Sequence, residues 1–150
     1  MVASHLKGGR VEDSSEDELR LADAVLAAFC FQSESHKLRK SKPMDVQAVY
    51  RAFAELRQKY PAWLQDMRFT YGPADTVPIS GALEDILFDL GASGIMSVEN
   101  PRYKYLKIQA RKLKLIRQAI VQRRSETEQD ELRQLADEFL DQYNRVAEKR

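Results

Sequence analysis

The sequence predicts an α+β, mostly helical fold: a winged-helix-like core of three helices plus a β-hairpin wing, then a long C-terminal helical arm. Three observations carry this. Residues 78–108 read as a short helix, a glycine stop and a hairpin with a basic far strand. Two amphipathic helical stripes precede them, and the pattern is helical from residue 109 to the end. The predicted organisation is a flexible lead-in over 1–14, a winged-helix-like domain over 15–108 and a helical arm over 109–150, docked on the core or on a partner.

Helix 1 is placed at about 16–32. Ser15-Glu16-Asp17-Glu18 has the form of a capping box, in which serine and glutamate satisfy exposed backbone N–H groups reciprocally. Leu19, Ala22, Leu26 and Phe29 make its apolar stripe, widened by Val25 and Cys30. Residues 33–42, polar and basic, read as a loop. Asp45 is a natural N-cap for helix 2 over 46–59, whose stripe is Val46, Val49, Tyr50, Phe53 and Leu56 and which Pro61 ends. A short turn leads to RFTYGP, a strand entering a Gly-Pro turn.

Helix 3 starts at Ser80 or at the Pro78 position and stops at Gly91, with Ile79, Leu83, Ile86, Leu87 and Leu90 on one side. Ile95 to Val98 and Tyr103 to Ile108 then flank the Glu99-Asn100-Pro101-Arg102 turn signal, the pattern of a hairpin. In the arm, residues 109–124 carry Leu113, Ile116 and Ile120. Ser125-Glu126-Thr127-Glu128 is a second capping box, marking either a new helix or a kink in one long helix. Leu132, Ala136, Phe139, Tyr143 and Val146 then recur at heptad spacing, flanked by Leu135 and Leu140. That stripe, with Leu132, Leu135, Phe139, Tyr143 and Val146 as candidate contacts, serves either the protein's own core or an oligomer or partner interface.

Composition bounds function more by exclusion than by indication. The chain has 150 residues, long enough for one domain with a substantial core. Its formal net charge of +1 does not mark a general polyanion binder. A lone cysteine, Cys30, permits no disulfide within one chain and fits a reducing compartment. It reads as a core thiol rather than a reactive one. No apolar run approaches the ~20 residues that span a bilayer, and the N-terminus lacks signal-peptide blocks. The expected location is cytoplasmic, without membrane association.

Tyr71-Gly72-Pro73, followed by a helix ending in Leu87-Phe88-Asp89-Leu90-Gly91 and then Ala92 to Ile95, resembles the Panacea-type domains of antitoxins and phage-linked proteins. The resemblance covers about residues 45–108. It implies protein–protein neutralisation or recruitment; it does not imply catalysis. The chain departs from that family in its first helix, AVYRAFAELRQKY, which is not lysine-leucine-rich. It departs also in the connection at 74–78, ADTVP, and in the long C-terminal arm.

No catalytic, cofactor or metal constellation stands out. With two histidines, His5 and His36, each in a predicted loop, and one cysteine, no CxxC or HxxxH metal site can be built, and neither histidine's neighbourhood offers a scaffold for a Ser/His/Asp triad. Phosphate-binding glycine motifs are absent. No small-molecule substrate is evident. Charge is more informative. Arg102, Lys104, Lys107, Arg111 and Lys114 belong to a basic run that extends to Arg124 without an acid, interleaved by Tyr103 and Tyr105. It is either a phosphate-contacting surface or a solvated face compensated by the acids at 12–23 and 126–141.

Glu84, Asp85 and Asp89 make predicted helix 3 acidic. Carboxylates beside phosphates are repulsive, which argues against this helix entering a DNA groove. They are candidates for contact with a basic partner, and the acidic and basic faces can also meet head to tail in an oligomer. The sequence therefore reads as a non-catalytic macromolecular interaction module that binds a protein partner or itself. The alternative is a nucleic-acid-binding regulator working through the wing and the helix after it.

Overall fold

The computed structural model describes residues 2–32, 44–73, 76–94, 96–99 and 105–148, with side chains described at 16–32, 44–73, 76–94, 109 and 111–147. The elements run α1 (Val2–Cys30), β1 (Met44–Asp45), α2 (Val46–Lys59), α3 (Pro61–Leu64), α4 (Gly81–Ala92), β2 (Met96–Glu99), β3 (Tyr105–Ile108), α5 (Ala110–Arg123) and α6 (Glu126–Glu148).

This architecture corrects the predicted fold class. The molecule is helical rather than a winged-helix core with a wing and an appended arm. The C-terminal helix α6 lies at the centre of the packing and makes its most extensive contacts with α2 and α1. Phe29 of α1, Phe53 of α2 and Phe139 of α6 meet in one aromatic cluster, with centroid separations of 5.3 Å for Phe29–Phe139 and 4.8 Å for Phe53–Phe139. All three are at most 2% exposed. Offset and edge-on rings at such distances add to the burial of their area. The strands are two, four and four residues long. They pair antiparallel in the order β1-β3-β2, with Val98 opposite Leu106 and Leu106 opposite Met44. They are secondary to the helical core. A hairpin pairs neighbouring stretches of chain, whereas the fold is decided by where the largest apolar faces are buried.

Local chemistry explains the starts of four helices. The Asp45 side chain accepts from the Ala48 N–H at 3.2 Å and starts α2. Ser80 does the same for Leu83 at 3.2 Å and starts α4. At the α5–α6 junction both halves of the capping box form: the Ser125 N–H donates to Glu128 Oε1 at 3.1 Å, and the Glu128 N–H donates to Ser125 Oγ at 3.2 Å. Residues 110–148 are therefore two helices. Pro61, read as a stop, sits at the first position of α3, where its missing N–H costs nothing.

Four local expectations fail. α1 runs through Ser15, so the first capping box does not open a helix. α4 continues through Gly91 to Ala92, and the left-handed glycine is Gly94, at φ 76°. RFTYGP contributes only an isolated bridge, Thr70 to Ile79. Ile79 stands before the helix and is 54% exposed rather than on its buried stripe.

Candidate functional site

α4 buries Leu83, Leu87 and Leu90 in the core, with Ile86 partly buried. At 100° per residue the opposite side of the helix carries Gly81, Glu84, Asp85, Phe88, Asp89 and Ala92. Glu84, Asp85 and Asp89 are all exposed. Between them Phe88 is 74% exposed, the highest value among the large hydrophobic side chains described. A Cβ added at Gly81 would meet nothing within 4 Å, so the first turn of this face is open to an approaching surface. The structure thus unites the three predicted carboxylates around an aromatic side chain that stripe-based reading passes over. An aromatic opposite a well-defined Leu83–Leu87–Leu90 stripe is the signal that could have found it.

Arg111 and Lys114 are exposed on α5. Lys107 lies in β3 with its side chain outside the described residues, and Arg102 and Lys104 fall outside them altogether. At the far end of the run the charges turn inward. Asp23 of α1 is fully buried and accepts from both Arg123 and Arg124. Arg123 engages it with two nitrogens, Nε at 3.1 Å and Nη2 in a close second contact. Arg124 donates from Nε to Asp23 at 2.8 Å and from Nη1 to Glu16 at 3.1 Å. The acids at 12–23 and 126–141 therefore do compensate this end of the run, through Glu16, Asp23 and Glu128.

Around this pair a wider cluster joins α1, α3 and the α5–α6 junction. Arg20 donates to Glu128 at 3.1 Å and to the Ala62 carbonyl at 2.9 Å, and its Cζ stands 3.9 Å from the Trp63 ring centroid. Trp63 donates to Glu131 at 2.8 Å. Arg124 Nη2 is buried without a hydrogen-bond partner. Its guanidinium carbon lies 5.4 Å from the Trp63 centroid, where the ring's negative face offsets the missing acceptor. The Asp23 hydrogen bonds raise the Arg123 pKa above its ordinary value. Burial opposes ionisation of Arg124, and the hydrogen bonds to Asp23 and Glu16 outweigh it, again raising the pKa. The Ser125 N–H holds the Glu128 carboxyl below its usual range, aided by Arg124 and Arg20. The charges here are held by neighbours in the fold, so the cluster clasps α1, α3 and the α5–α6 junction together.

The apolar stripe of the last helix, open in the sequence to the protein's own core or to a partner, is taken up by the core. Leu132, Leu135 and Phe139 are fully buried in the protein's own core. Tyr143 packs against that core and its Oη accepts from the Asp45 N–H at 2.9 Å, tying α6 to the start of α2. Val146 is half-buried. The heptad spacing serves an intramolecular seam.

Cys30 is a buried thiol whose pKa burial pushes up to about 12; nearby Arg117 acts against this and Asp23 adds to it. A protonated core thiol is a poor nucleophile. Among the described residues no group of three or more His, Cys, Asp or Glu side chains is placed to hold a metal ion. Among them, too, no helix is long and apolar enough to cross a membrane. Comparison with protein-family models, with curated proteins and with solved structures finds no match to this chain.

Proposed function

We propose that the protein is a non-catalytic, cytoplasmic interaction module that binds a protein partner through the outer face of α4. The observation that carries this is Phe88, 74% exposed on a helix whose same side presents Glu84, Asp85 and Asp89. An aromatic anchor inside a polar rim is the usual anatomy of a protein–protein contact, and aromatic residues are prominent among binding hot spots. The three carboxylates select a partner with a basic, partly apolar surface and disfavour an acidic one. Toxin neutralisation or phage-linked regulation, implied by the Panacea-type resemblance, is the sharpest form of this reading.

Affinity capture tests it. Wild-type protein used as bait is expected to retain a protein that Phe88→Ala loses, with both baits melting at the same temperature because Phe88 makes little core contact. Retention of the same proteins by both baits removes α4 as the docking face. A second reading is supported by Arg111 and Lys114, exposed on α5: nucleic acid held through phosphates. Duplex or single-stranded DNA bound at low salt and released as salt rises is the result that favours it.

A further inference from the structure

The partner-binding reading names a chemistry but no partner, and the molecule itself carries a surface of that chemistry. On α5, Ile120 is buried, and Leu113 and Ile116 are partly buried against the core. The outer side holds Arg111, Leu115 and Gln118, with Lys114 at its edge; all four are exposed, and Leu115 is 65% exposed. This is the charge inverse of the α4 face: one large apolar side chain accompanied by cations, against one large apolar side chain accompanied by carboxylates.

We infer that the α4 face of one copy docks on the α5 face of a second copy, with Phe88 against Leu115 and Glu84, Asp85 and Asp89 facing Arg111 and Lys114. The inference rests on the α4 docking reading above. Three features support it. The helices match in length, 12 and 14 residues, or roughly 18 and 21 Å. Gly81 and Ala92 are small residues near the two ends of the α4 face, which lets a second helix approach to the ~8–10 Å of ordinary helix packing. The signs of charge also discriminate. α4 against α4 sets carboxylates together and α5 against α5 sets cations together, so both like pairings are disfavoured. Of these three pairings, α4 against α5 is the complementary one.

Charge-swapped variants test this by sedimentation velocity over a concentration and salt series. Wild-type protein is expected to self-associate, less so as salt rises. The triple change Glu84→Arg, Asp85→Arg, Asp89→Arg is expected to be monomeric, as is the double change Arg111→Glu, Lys114→Glu. Mixing the two variants restores a complex, since each then supplies the sign the other lacks. Phe88→Ser is expected to raise the dissociation constant roughly tenfold or more. It carries the same decision if either charge set lowers the melting temperature. A wild type that stays monomeric, variants that associate like the wild type, or a mixture without a complex each overturns the inference. A monomeric wild type that still captures a different protein through Phe88 overturns self-association alone. Failure of the capture experiment as well removes the docking reading with it.

Discussion

Asp23→Ala is expected to destabilise the fold by about 3–5 kcal/mol, because removing one partner of a buried ion pair leaves the other charges uncompensated. Asp23 is fully buried, and Arg124 beside it is nearly so, with 6% of its side chain exposed. The cost arises from Arg124 more than from Arg123, whose side chain is 37% exposed and can turn to solvent. For a chain of this length such a loss lowers Tm by roughly 6–20 °C. Thermal unfolding followed by circular dichroism reads it directly. Replacing Arg124 by Met as well should recover part of the loss, since a buried pair exchanged for apolar side chains is often close to neutral. An Asp23→Ala protein that melts with the wild type would mean that water reaches the clasp and that α1 is not fastened to the α5–α6 junction there.

Phe139→Ala is expected to cost about 3–5 kcal/mol, the range for truncating a buried aromatic. The ring sits between Phe29 and Phe53 and stacks on Tyr143 at 6.3 Å, so its loss opens a cavity where α1, α2 and α6 converge. The result separates two roles for the heptad stripe. A core residue lowers Tm by the same amount at every protein concentration. A residue in an intermolecular seam instead makes Tm rise with concentration, through mass action. The structure predicts the first. Phe139→Asp and Leu132→Asp should unfold the chain rather than dissociate an assembly.

Much of the local structure was legible in the sequence because it depends on neighbours a few residues apart. Asp45 before the Val46–Val49–Phe53 stripe located α2, and Ser125 with Glu128 marked the place where α6 begins without deciding between a new helix and a kink. Chain-distant packing was not legible in this way. Nothing in the spacing of Leu132, Leu135 and Phe139 says whether the surface they meet belongs to the same chain, since the same period serves a core seam and an intermolecular one. The burial of Asp23 was equally hidden. It lies one residue from Ala22 in an acid-rich stretch, and only the fold brings Arg123 and Arg124 to it. For the candidate site, the charges at Glu84, Asp85 and Asp89 were readable. Phe88 needed the structure to show which side of α4 faces out.

Carboxyl footprinting with a water-soluble carbodiimide tests most directly the claim that the α4 face is where this protein does its work. Glu84, Asp85 and Asp89 are exposed, as are Glu55 of α2 and Asp130 of α6, which serve as internal standards. In dilute purified protein all five should label. In a concentrated native extract of the source cells, the three α4 carboxylates are expected to become protected while Glu55 and Asp130 label as before. Equal labelling of all five in both settings would contradict the account, because a docking face that stays open to a small reagent among its partners is not in use.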